Sequence, residues 1–308
     1  MPACVEVLEV GPRDGLQNEK VVFSTADKLH MINGAIDAGV KRIEVASFVH
    51  PARVPQMADA EDVISGLRDR SDVTYIGLVL NKRGLLRAIA TREAGNRGID
   101  EAGCVAIASD TFAEKNQGQT MRSSVEITKE MIKLAKSEGM SAQATISVSF
   151  GCPFEGRIDQ STVVAMAEDI AEAEPREIAI ADTIGVGSPI RVTELIHKIK
   201  ERIPNIPLRA HFHNTRNTGL ANAWAAYQAG VQTLDASVGG LGGCPFAPKA
   251  TGNIGTEDLL YLLAESDIQT DISLNDMIKL AKWTETVLGR IPPAMVSQAG
   301  GFPIETSS

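Results

Sequence analysis

Eight short apolar runs, each followed by a stretch of helical character, are spread along all 308 residues, and this alternation constrains the fold most. The runs cover residues 5–10, 42–46, 74–79, 104–108, 143–149, 177–182, 208–213 and 233–238. Amphipathic segments such as 24–38, 123–138, 162–173 and 219–229 lie between them. Strands that alternate with helices form βαβ units and therefore a parallel sheet. Eight units without a reversal or a break in composition predict an α/β protein of the (β/α)8 TIM barrel type rather than an open doubly wound sheet. Hydrophobic residues make up 44% of the chain and aromatics only 4%, so the core must be built from Ala, Val, Ile and Leu. We expect residues 1–308 to form one barrel domain, with extra helices after about residue 255 acting as a lid or an outer layer.

Composition narrows the function classes. The net charge of −9 argues against a nucleic-acid binder, which normally carries a basic face. The sequence has no apolar run of about eighteen residues, so no membrane span is expected. Its N-terminus, Met-Pro-Ala-Cys-Val-Glu-Val, enters a strand directly, with neither the basic start of a signal peptide nor an Arg- and Ser-rich transit helix. Cys4, Cys104, Cys152 and Cys244 are widely spaced and fit neither a disulfide framework nor a zinc ribbon. A reduced cytoplasmic protein is expected, assembled as a homo-oligomer (dimer or tetramer). Neither a Gly-x-Gly-x-x-Gly turn nor a P-loop nor a Gly-x-Ser-x-Gly elbow is present, so nucleotide cofactors and serine hydrolysis lack their usual cradles.

The polar residues within or just after the apolar runs locate the chemistry. His211 and His213 stand two apart on one predicted strand and so share a face. Neutral imidazoles are common metal ligands, and Asp14, after the first run, can add a carboxylate. Asn253, beyond the glycine-rich segment 239–243, can add an amide oxygen. Two nitrogens and two oxygens suit an octahedral Mg2+ or Mn2+ with positions left for substrate and water, whereas structural zinc prefers thiolates. Arg13 is either an ion-pair partner or a fixed charge that stabilises oxygen charge developing on a substrate carbonyl. Glu44 and Asp182, inside otherwise apolar runs, are either buried partners of such cations or proton-transfer groups. Cys244 lies in a loop that four glycines make tight or mobile, and it is either a packed thiol or a reactive one. All of these residues fall at the C-terminal ends of predicted strands, the face on which such barrels place their sites.

Several segments together resemble the hydroxymethylglutaryl-CoA lyase family of barrel metal-dependent acyl-CoA lyases. They are Val10-Gly-Pro-Arg-Asp-Gly-Leu-Gln, Ile43-Glu-Val-Ala-Ser-Phe, Gly151-Cys-Pro-Phe-Glu-Gly, Asp182-Thr-Ile-Gly-Val-Gly, His211-Phe-His and Gly240-Leu-Gly-Gly-Cys-Pro-Phe-Ala. The last is the most specific, because related condensing enzymes share the barrel but lack this cysteine loop. The resemblance implies that Asp14, His211, His213 and Asn253 bind a divalent cation, Mg2+ or Mn2+. It also implies that Arg13 stabilises an enolate, that Cys244 takes part in proton transfer, and that Glu44 and Asp182 support the site. The reaction implied is cleavage of a 3-hydroxy diacid acyl-CoA to acetyl-CoA and a keto acid.

The sequence departs from the pattern of the hydroxymethylglutaryl-specific enzymes around the predicted mouth. Asn214-Thr215-Arg216 stands where those enzymes carry Asp-Thr-Tyr. Thr145 replaces a tyrosine, Ala179 a serine, and Lys249 a small residue. With Gln17, the residues Thr145, Arg216 and Lys249 are therefore expected to line the acyl site, and citramalyl-CoA or a methylmalate-like thioester is a competing substrate. An idle CoA-binding barrel fits less well, since every residue that the resemblance marks as essential is present, and the cysteine loop disfavours a condensing enzyme using an α-keto acid.

Overall fold

The computed structural model describes residues 4–93, 97–243 and 252–303. Its eight strands are β1 (Glu6–Glu9), β2 (Arg42–Ser47), β3 (Thr74–Val79), β4 (Glu101–Ile107), β5 (Ser141–Ser147), β6 (Ile178–Asp182), β7 (Leu208–Phe212) and β8 (Thr233–Ala236). They pair in parallel in chain order, and β8 returns to β1 to close the barrel. The predicted (β/α)8 architecture is therefore observed. A two-residue hairpin, Gly151–Cys152 with Gly156–Arg157, is the only addition to the barrel's strands among the described residues.

The outer ring comprises α1 (Thr25–Asp37), α2 (Ala60–Ser65), α3 (Lys82–Glu93), α4 (Asp110–Gln117), α5 (Met121–Ser137), α6 (Gln160–Ala171), α7 (Pro189–Arg202) and α8 (Gly219–Gln228). Local chemistry sets the helix starts. Ser24 and Asp27 form a reciprocal capping box at α1, and Thr120 accepts the Ser123 N–H at α5. Beyond the barrel come α9 (Thr256–Ala264), α10 (Leu274–Leu288) and the single turn α11 (Val296–Ala299). Helix α10 packs against α1, where Gly34 lacks the Cβ that would stand 2.7 Å from Leu280 Cδ1. Helix α10 thus lies as an outer layer beside α1, while Glu257 of α9 and Pro292 pack against Gly239 after β8. Among the described residues no helix is long and apolar enough to cross a membrane.

The main apolar core lies between sheet and helices, whereas the barrel interior also holds a group of buried charges. Leu8, Val10 and Ile76 form a small separate cluster inside. Around them stands a column of buried charge. Arg42 pairs with Glu101 and, at 2.7 Å, with Glu177; Arg209 lies 2.9 Å from Glu177 and pairs with Asp235. Barrels of this type usually fill the interior with branched aliphatic side chains. Charges so enclosed must be paired, because an isolated one would lose its hydration without return. Pairing also explains why β4 begins three residues earlier than expected: Glu101 reads as a surface residue in sequence, yet it is wholly buried against Arg42.

Candidate active site

The site sits at the C-terminal rim of the strands. After β1 the chain makes a tight turn, Gly11–Gly15, in which the Arg13 and Gly15 amides both donate to Val10 O. Gly15 is required here, since a Cβ would stand 2.6 Å from Ser237 Oγ at the end of β8. The turn aims Arg13 and Asp14 across the mouth. Arg13 Nε donates to Glu44 Oε2 at 2.7 Å, and Nη2 lies 2.6 Å from the same oxygen. Nη1 donates to Asp14 Oδ1 at 2.7 Å and reaches Gln17 Oε1 at 3.4 Å. On β2 the register slips by one residue between Glu44 and Ala46, a bulge that lets Glu44 reach this fork.

Asp14 faces both histidines. Its Oδ2 lies 3.9 Å from His211 Nε2 and 4.0 Å from His213 Nε2. The ligand atoms of the three residues all fall within 4.8 Å of one another. These gaps are too long for direct hydrogen bonds, and they leave room for a cation whose ligands sit at about 2.0–2.2 Å. Asn253 reaches the same place because residues 252–254 pair with residues 212–214, giving a bridge between His213 and Asn253. Its Nδ2 donates to Asp14 Oδ2 at 2.9 Å, and its Oδ1 is buried with no hydrogen-bond partner. A half-turn of the amide presents the oxygen instead, at the cost of the Nδ2 bonds to Asp14 Oδ2 and, at 3.0 Å, to Leu241 O. The four predicted ligands are thus brought together, and the orphaned Asn253 oxygen fits a divalent cation.

The electrostatics suit that fit. Burial works to raise the Asp14 pKa, but Arg13, His211 and His213 hold it well below the usual carboxylate range. Burial and the neighbouring His211 push His213 down to about 4, leaving a neutral imidazole. Burial also acts to lower His211, but its bond to Asp235 together with the charges of Asp235 and Asp14 raises it overall. Burial pushes Glu44 up, although Arg13 opposes this.

Asp235 escaped the sequence reading. Its Oδ2 lies 3.0 Å from His211 Nδ1 and also pairs with Arg209, so it fixes which imidazole nitrogen faces Asp14. The signal existed: Asp235 is a charge inside an apolar run, as Glu44 is, and Arg209 stands two residues before His211 on the same face.

The other predicted residues separate. Gln17 and Thr145 line a cavity of about 660 Å³ at the mouth, walled by apolar Leu78, Val105 and Ile107. Thr145 Oγ1 also accepts from Arg209 at 2.9 Å. Ala179 is fully buried on β6, in register with Thr145 of β5 and Arg209 of β7, and does not itself line the cavity. Asp182 accepts the Val186 and Gly187 amides with its two oxygens, shaping the loop after β6, and the neighbouring Ala181 and Thr183 make the cavity wall. Arg216 is exposed and directs Nη1 to the carbonyls of Ile184 and Gly185 in that same loop. Cys244 and Lys249 lie outside the described residues.

A parallel barrel with two imidazoles, a carboxylate and an arginine converging on its rim defines the class, that of barrel enzymes with a candidate divalent-cation site at the strand ends. The sequence profile of the HMGL-like family matches residues 4–283, and the chain belongs to that family. The hydroxymethylglutaryl-CoA lyase of Bacillus subtilis is 39% identical over 293 residues, covering 95% of this chain and 96% of the relative. The (R)-citramalyl-CoA lyase of Chloroflexus aurantiacus is 38% identical over 307 residues, covering 96% and 95%. Among solved structures, a hydroxymethylglutaryl-CoA lyase from Acinetobacter baumannii in complex with coenzyme A and 3-methylmalate superposes with a TM-score of 0.91. It is 36% identical, with 99% of this chain and 98% of that one covered.

Proposed function

We propose that the chain is a divalent-cation-dependent carbon–carbon lyase that cleaves a 3-hydroxy diacid thioester of coenzyme A, of the hydroxymethylglutaryl type, to acetyl-CoA and a keto acid. The observation that carries this reading is the convergence of Asp14, His211 and His213 with the Arg13 guanidinium on one rim of the barrel. Asn253 completes the donor set, and Mg2+ or Mn2+ suits its mixture of oxygen and nitrogen. When bound, the cation supplies Lewis acidity toward substrate oxygens.

The protein's own residues account for the rest. Cys244 as thiolate takes the proton of the substrate's C3 hydroxyl, the C2–C3 bond breaks, and the electron pair passes to the thioester, giving the enolate of acetyl-CoA and the Cys244 thiol. Arg13, held in place by Glu44, offers a fixed positive charge to that oxygen. Cys244 delivers the proton that C2 needs. Asp235 positions His211 and, with Arg209 behind it, remains ionised despite burial, its pKa held below the ordinary carboxylate value. Asp235→Asn keeps the shape but removes the charge, and should weaken Mn2+ binding by about tenfold or more. Counting free Mn2+ by electron paramagnetic resonance checks this, and unchanged affinity would refute the role given to Asp235.

A panel of 3-hydroxyacyl-CoA diacids, with both products identified, tests the proposed reaction. Hydroxymethylglutaryl-CoA and citramalyl-CoA are its two critical members, because relatives acting on each are almost equally similar to this chain. Acetyl-CoA release from at least one supports the proposal, and release from none of the panel contradicts it.

A further inference from the structure

Two buried acids have no part in the chemistry above. Glu9, the last residue of β1, and Glu257, in the first turn of α9, each have 0% exposure. The influences on both are burial, hydrogen bonds from amides or a hydroxyl, and neighbouring acids, with no cation among them. Burial accordingly pushes Glu9 up to about 7 and Glu257 up to about 8. As core packing such residues are poor choices, since enclosing a carboxyl costs free energy that Leu or Met would not. What they supply, and an apolar side chain cannot, is hydrogen-bond acceptors.

Those acceptors meet the backbone of the site. Glu9 Oε1 accepts the Gly11 N–H at 2.7 Å and the Val238 N–H at 3.0 Å, and Oε2 accepts the Thr256 hydroxyl at 2.7 Å. Both oxygens of Glu257 accept the Gly239 N–H, at 3.1 and 3.0 Å. Gly11 opens the turn that carries Arg13 and Asp14. Val238 follows Asp235 by three residues, and Thr256 follows Asn253 by three. The close fit has visible consequences: a Cβ on Gly11 would stand 2.6 Å from Glu9 Oε1, and Gly239 adopts a φ of 65°. One carboxyl therefore ties together three segments that are distant in sequence and that each bear a group of the site.

We infer that Glu9, backed by Glu257, is a positioning residue that holds the Arg13–Asp14 turn, the end of β8 and the Asn253 segment in register with the histidine pair. This rests on the donor set proposed above. Neither acid lines the cavity, so their effect passes through the amides they hold.

The test uses the full-length chain, stripped of metal, with Glu9→Met, Glu9→Gln and Thr256→Val. Three quantities are read: Mn2+ affinity, the thermal unfolding of the metal-free protein, and kcat and KM for the thioester. Glu9→Met is expected to weaken Mn2+ binding by about tenfold to a hundredfold and to lower kcat with KM nearly unchanged. Glu9→Gln, which restores an acceptor oxygen, should recover most of both. Thr256→Val keeps shape and removes a single donor, so it folds where Glu9→Met fails to, and should weaken Mn2+ binding by roughly threefold. Wild-type Mn2+ affinity and kcat in the folded variants, with only a lower unfolding temperature, would overturn the inference and leave the donor set standing. A wild-type chain that binds no Mn2+ would overturn both.

Discussion

Replacing Arg13 by Lys is expected to lower kcat by about a hundredfold or more while KM for the thioester changes little. Three of the guanidinium's contacts are committed, to Glu44 through Nε and Nη2 and to Asp14 through Nη1. Burial works against the charge, yet these two acids raise the Arg13 pKa, so the group stays cationic. A lysine ammonium keeps the charge but not the planar fork. It cannot span Glu44 and Asp14 and also point at a developing oxyanion. Charge on the thioester oxygen exists only near the transition state, which is why the loss should appear in kcat. Steady-state kinetics on the best thioester of the panel measures this. A large rise in KM at constant kcat would instead assign Arg13 to ground-state binding.

Cys244→Ser should lower kcat by about a hundredfold or more, the usual worth of a positioned proton donor, without loss of folding or metal binding. A serine hydroxyl matches the thiol in size but ionises at much higher pH. To carry a proton the group must pass between thiol and thiolate, which a serine hydroxyl does not do near neutral pH. The other thiols make a clean background. Cys104 is buried and its pKa is pushed up to about 12 by burial, and Cys152 is buried and receives the Ser109 hydroxyl at 3.1 Å. Cys4 is exposed, so alkylation belongs in a Cys4→Ser background. There, iodoacetamide should inactivate the enzyme, and bound acyl-CoA should protect it. Near-normal kcat in Cys244→Ser would reduce the residue to loop packing.

Much of this was legible in the sequence because barrel strands are short, apolar and regularly spaced. All eight runs became strands, and β3 matched at both ends. The donor set was legible for a related reason. Residues two apart on a strand share a face, so His211 and His213 announce themselves, and the strand-end rule then gathers Asp14 beside them. The charges inside the barrel were not legible. Arg42, Glu101, Glu177 and Arg209 look like surface residues until closure of the sheet pairs them, and pairing across four strands leaves no local trace. Glu9 and Glu257 were missed on the same ground, since each holds an amide far away in the chain. Arg216, expected to line the acyl site, is exposed and directs one of its nitrogens to loop carbonyls, a contact with no signal in the local sequence.

The central claim is that carbon–carbon bond cleavage depends on a divalent cation held by Asp14, His211, His213 and Asn253. Its most direct test is acetyl-CoA release by the metal-stripped enzyme as Mn2+ is added back. Negligible release is expected without metal, followed by a rise that saturates as one site per chain fills. In His211→Ala that rise should shift to much higher Mn2+ concentrations. Full turnover by the chelator-treated, metal-free enzyme would contradict it.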